Sequence, residues 1–183
     1  MTDEELAFKT ATGLVETGIE GGFDNVECST AYDSLCVGVS SWEQGRGQYL
    51  ISTIPGAEKF LDRPYSDLDD DEIEELSELL DSEEGRNAQM DLLSKDCLEY
   101  VVEAKEAGLR NEDCIVYACM WMPTSTYVVS SFILKYMDEY DLNDIDELHK
   151  LFYEEYAIYA ACSEYLTGYR NRATATYKYL VNG

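Results

Sequence analysis

The chain has 183 residues, with 38 acidic against 13 basic side chains, a formal net charge of −25 and 45% hydrophobic residues. That length and apolar content suffice for one buried core, so a single domain over residues 1–183 is expected. The charge excludes a basic face for direct nucleic-acid or anionic-lipid binding, because the Coulomb term repels both, and it admits cationic glycans and basic protein surfaces.

Thr2-Asp3-Glu4-Glu5 has the form of a capping box, and Leu6, Thr10, Gly13 and Leu14 follow at helical spacing. The first helix is therefore predicted to run to about Thr17. Gly18, Gly21 and Gly22 come next, where left-handed backbone ends a helix at little steric cost, so Glu16 and Glu20 stand at or beside its exit. Leu35 to Ser40 alternates apolar with small or polar residues, the period of a half-buried strand, and Asp33 falls in the turn feeding it. Gly45-Arg46-Gly47 then opens a short helix that turns Leu50, Ile51 and Ile54 inward before Pro55-Gly56, with Trp42 at its mouth.

From Ser66 the chain is strongly acidic, yet Leu68, Ile73, Leu76 and Leu80 keep a helical stripe, which predicts a solvated outer helix. A long helix through Leu92, Cys97, Val101 and Ala104 stops at Gly108. Asn111 caps the next, from about Asp113 to Met122, which is apolar almost all round and belongs in a core. Helical patterns cover Tyr127 to Tyr140, Ile145 to Phe152 and Tyr156 to Leu166. Gly168 marks a break before a closing helix to Leu180. The fold class is mainly α (α+β), with one small β element near residues 23–40.

Six cysteines spread over a chain of this size read as reduced core thiols, with Cys97, Cys114 and Cys119 on apolar helical faces. Cys114 and Cys119 lack the spacing of a zinc loop and His149 is the only histidine, so neither a metal nor a cofactor is expected. His149 has no Ser or Cys partner in sequence and is given a capping or packing role. The acidic N-terminus lacks the apolar core of a signal peptide, and no apolar run reaches the ~18 residues of a membrane span. Synthesis in the cytoplasm without a signal peptide, and no membrane segment, are the expectations.

Glu20-Gly21-Gly22-Phe23-Asp24-Asn25-Val26 and Gly38-Val39-Ser40-Ser41-Trp42-Glu43-Gln44-Gly45-Arg46 together resemble two motifs of the lysozyme-like peptidoglycan hydrolases of phages and Gram-positive bacteria, distant fold relatives of chitosanases. Weaker similarity follows at Gln89, at Asp146 to Lys150, and at Tyr169-Arg170-Asn171-Arg172. The resemblance implies a lysozyme-like fold and a muramidase-type glycosidase acting on peptidoglycan or a related amino-sugar polymer, released by lysis or carried in a phage particle. It places the catalytic glutamate at Glu20, and the second carboxylate falls at Asp33 by position. Where the family carries glutamine and histidine around the tryptophan, this chain has Ser41 and Glu43.

Glycoside cleavage needs a protonated acid beside the leaving oxygen and a second carboxylate that attacks the sugar or activates water. Glu20 and Asp33 supply such a pair, and Glu16, followed by Thr17-Gly18 as in chitosanase-like hydrolases, is the rival acid. Phe23 and Trp42 are the apolar neighbours that would raise the acid's pKa. Trp42, Glu43, Arg46, Arg170 and Arg172 are the candidate substrate-binding residues. The alternative function is a lysozyme-fold acidic protein without catalysis, engaging a basic host partner or mimicking nucleic acid.

Overall fold

The computed structural model describes residues 1–31 and 33–182. Among them the chain forms, in order, α1 (Asp3–Thr17), β1 (Val26–Cys28), β2 (Leu35–Val37), α2 (Gln44–Thr53), α3 (Asp70–Leu80), α4 (Glu83–Glu106), α5 (Glu112–Trp121), α6 (Thr126–Tyr136), α7 (Ile145–Tyr159) and α8 (Leu166–Asn182). Three short 3₁₀ turns lie at Glu58–Phe60, Tyr65–Asp67 and Ser163–Tyr165. The protein is mainly α with one small antiparallel hairpin. None of these helices is long and apolar enough to cross a membrane. Contacts divide the chain into two compact units, Met1–Ile19 with Ser94–Gly183, and Glu20–Leu93.

In the larger unit α1 begins where the Thr2 hydroxyl accepts the Glu5 N–H and the Glu5 carboxylate accepts the Thr2 N–H. It ends at Gly18, whose φ of 67° is the left-handed cap that glycine adopts without strain. Leu6, Ala7, Ala11 and Leu14 are buried, and α1 packs on α5 and α8. Asn111 caps α5 by accepting the Cys114 N–H, and every residue of α5 from Cys114 onward is buried. Around it stand Phe132, Phe152, Tyr156 and Tyr169. Trp121 lies with ring centroids 5.0 Å from Phe152 and 4.8 Å from Tyr156, in the tilted and edge-on arrangements that aromatic quadrupoles favour. Cys97, Cys114 and Cys119 are fully buried, and no thiol is bridged among the described residues.

Three helix boundaries in this unit differ from the sequence expectation. Ile145 to Tyr159 is one helix rather than two, because Leu148, Phe152 and Tyr156 continue one buried face while Glu154 and Glu155 lie off it. Leu166 opens α8 instead of closing a helix, so Gly168 sits inside the first turn of α8 and not at a break. Helix α6 also stops at Tyr136, short of the expected Tyr140.

In the smaller unit β1 and β2 pair Val26 with Val37, Glu27 with Cys36 and Cys28 with Leu35. The second strand is shorter than its alternation predicts and buried throughout. Gly38, with φ of 84°, reverses the chain so that Val37 and Trp42 exchange both backbone hydrogen bonds at 2.9 Å. A Cβ at Gly38 would lie 2.6 Å from Gln89 Oε1 and 3.0 Å from the Trp42 ring, so the turn has room for glycine alone. Helix α2 packs on β2 and α3 on β1. Gln89 of α4 is wholly buried. It donates to the carbonyls of Phe23 and Leu80 at 3.0 Å each and accepts the Val39 N–H at 2.8 Å.

Candidate functional site

Asp33 stands at the bend before β2, solvent-exposed, and its carboxylate accepts both the backbone N–H of Ser66, at 3.1 Å, and the Ser66 hydroxyl. These two bonds, hydroxyl first, hold the Asp33 pKa below the ordinary carboxylate value. The exposed Cys28 thiol also points at Asp33, with Sγ 3.9 Å from Oδ1. Ser66 reaches Asp33 because Pro64 fixes the start of the 3₁₀ turn Tyr65–Asp67.

A cavity of about 270 Å³ opens beside Asp33, lined by Gln44, Gln48, Asp62 and Arg63 among others. Two of these residues hold left-handed backbone without being glycine, Gln44 at φ 48° and Asp62 at φ 58°. Such conformations cost about 1 to 3 kcal/mol and persist where surrounding bonds impose them, often at functional sites. Here the Asp62 N–H donates to Gln48 Oε1 at 2.7 Å. Arg63 bridges Asp67 at 2.8 Å and Glu72 at 2.5 Å, which raises its pKa and turns its charge toward α3. The cavity therefore presents one ionised carboxylate, a second acid and two amides, a set suited to hydroxyl groups.

Comparison of the chain with family models, curated proteins and solved structures finds no match. The placement of each residue thus rests on geometry alone. Glu20 is half-buried in the turn between α1 and β1, in the same unit as Asp33. Glu16 is exposed in the last turn of α1, in the larger unit, and its charge adds to the burial that raises the Tyr179 phenol.

The candidate binding residues divide. Trp42 is 7% exposed and packs over Gly38, so it belongs to the interior of the smaller unit and offers no face for stacking. Glu43 precedes α2 and accepts the Cys36 thiol at 3.7 Å; burial first, then this carboxylate, pushes that thiol up to about 11. Arg46 is exposed in the first turn of α2. Arg170 lies over the Tyr153 ring, 4.9 Å from its centroid. Arg172 is 9% exposed, donates twice to the Met120 carbonyl, and lies 5.7 Å from the Trp121 ring, so its charge is committed to the interior.

Sequence reasoning missed Ser66, Gln48 and Asp62. Their only local signal is the Asp62-Arg63-Pro64 turn chemistry, since the Asp33–Ser66 pairing spans 33 residues.

Proposed function

We propose that the protein is a glycoside hydrolase of the lysozyme-like type, acting on peptidoglycan or a related amino-sugar polymer. The observation that carries this reading is Asp33, an exposed carboxylate held by two hydrogen bonds from Ser66 at the edge of a polar cavity. An ionised partner is what the second carboxylate of a glycosidase must be, whether it attacks the sugar or activates water. Glu20, half-buried and in the same unit, is the proton donor of the pair, and Glu16 at the end of α1 is its rival. Gln44, Gln48 and Asp62 line the cavity and, on this reading, would hydrogen-bond sugar hydroxyls.

The test is turbidity clearing of purified cell walls and of chitosan suspensions. Wild-type protein is expected to clear at least one, and Glu20→Gln to slow clearing ~100- to 10,000-fold, the range for loss of general acid catalysis. Asp33→Asn should slow it comparably, while Glu16→Gln should have a much smaller effect. A larger loss at Glu16 moves the acid to α1. No clearing of either substrate by wild type overturns the hydrolase reading.

One feature favours a second reading, an acidic protein that engages a basic partner. Helix α3 exposes Asp70, Asp71, Glu74 and Glu78, in a chain of net charge −25. Such a surface draws cationic partners at rates that fall steeply with salt. Reversing those four charges would then weaken binding to the partner while leaving the fold intact.

A further inference from the structure

The larger unit holds a second cavity, of about 500 Å³, between the end of α1 and the first turns of α8. Thr17 and Ile19 form one side, and Tyr165, Gly168, Tyr169 and Asn171 the other. Gly168 is the informative residue. Its φ is not left-handed, and a Cβ added there would meet nothing within 4 Å. Neither backbone geometry nor packing therefore asks for glycine, although it is among the poorest helix formers and occupies the first turn of α8. What glycine supplies at such a place is room for a ligand to approach the helix backbone.

The wall beside it is aromatic and well supported. Tyr169 packs edge-on to Trp121 at 5.6 Å and tilted against Tyr156 at 5.6 Å, so its ring is fixed from behind. Tyr165, 57% exposed, lies 6.2 Å from Tyr169 and extends the wall toward solvent. Asn171 is exposed and brings an amide to the same cavity. Arg172 also borders it but directs its guanidinium at the Met120 carbonyl and the Trp121 ring. With that cation committed inward and a net charge of −25, the cavity is ill suited to an anion. An uncharged ring with apolar C–H faces and polar edges fits: its faces stack on tyrosine while its hydroxyl and acetamido groups reach Asn171.

We propose that this cavity is a saccharide-binding subsite for neutral amino-sugar units, with Tyr165 and Tyr169 as its stacking wall and Gly168 as the clearance that admits the ring. The choice of saccharide rests on the glycosidase reading; the cavity and its glycine do not. The test is titration of diacetylchitobiose into wild-type protein and into Tyr165→Ala and Gly168→Leu, followed by calorimetry and ligand-observed NMR. Wild type is expected to bind, and each variant to bind at least about tenfold more weakly. Gly168→Leu should melt no lower than wild type, since leucine favours the helix and its Cβ enters open space, which separates a blocked site from a damaged fold. Absence of wild-type binding overturns the proposal, as does unchanged binding in both variants. Binding without cell-wall clearing upholds the subsite and removes the hydrolase; clearing with both variants binding normally does the reverse.

Discussion

The larger unit surrounds the buried helix α5 with rings, Trp121, Phe132, Phe152 and Tyr156 meeting at centroid distances of 4.8 to 5.4 Å, whereas the smaller unit ties the segments flanking its hairpin, and the end of α3, to α4 through the buried amide of Gln89. Aromatic packing is non-directional in its main term and spread over many contacts, so it tolerates local adjustment. A buried amide with three backbone partners is directional, and losing it strands every group that it satisfied. One unit is therefore vulnerable through volume, the other through hydrogen-bond geometry.

The largest expected effect follows from volume. Trp121→Ala should cost about 3 to 5 kcal/mol in a denaturant melt, the range for truncating a fully buried large aromatic, with amide exchange accelerated throughout α5, α7 and α8. A cost below about 1 kcal/mol would remove the aromatic cluster as the organising element of its unit. Next comes geometry. Gln89→Leu keeps the volume but leaves the buried Val39 N–H without a partner, at about 1 to 3 kcal/mol, while the Phe23 and Leu80 carbonyls, each with a second lone pair, lose a bond at less cost. Faster exchange is expected at Val39 with α5 unchanged, and equal acceleration in α5 would erase the contrast between the units.

The smallest effect concerns pH. His149 Nδ1 is 2.9 Å from the buried Tyr117 hydroxyl, and its ring stacks on Tyr177 at 4.4 Å with Tyr153 edge-on. Tyr177 in turn donates to Asp146. Burial lowers the His149 pKa, and the Asp146 charge opposes this more weakly. A histidine whose folded pKa lies below its unfolded value of ~6.5 contributes stability that is present above that value and lost as pH falls through the folded pKa. Wild type should therefore lose melting temperature between pH ~7 and ~5 more steeply than His149→Gln. Parallel slopes would show that the imidazole does not couple to folding.

Much of the fold was legible because its signals are local. Thr2 with Glu5, Asn111 before a run of apolar residues, and Gly18 after Thr17 mark helix ends by bonds made within a few residues. The buried face of α5 and its cysteines followed from composition. The break expected between Phe152 and Tyr156 is absent because Leu148, Phe152 and Tyr156 continue one buried face, with Glu154 and Glu155 off it. The candidate site was less legible. Asp33 was found by position, but Ser66 holds it across 33 residues, and Gln89 reaches Val39 across 50, distances at which no periodicity carries information. Trp42 and Arg172 carried the chemistry of sugar binding in their side chains and spend it on packing, a distinction only burial reveals.

The division of the chain also has a consequence for biosynthesis. The smaller unit is contiguous, Glu20–Leu93, and can form as soon as it clears the ribosome; the larger is interrupted by it, with α1 made first and α5 and α8 last. At translation rates of roughly 5 to 20 residues per second, about 100 residues separate α1 from the completion of α5, an interval of about 5 to 20 seconds. Throughout it the face that Leu6, Ala11 and Leu14 will bury has no native partner. A nascent chain from which Leu93 has just emerged would expose the whole of one unit beside an apolar α1 segment that has no partner, and such chains are where chaperone dependence of this protein should be greatest.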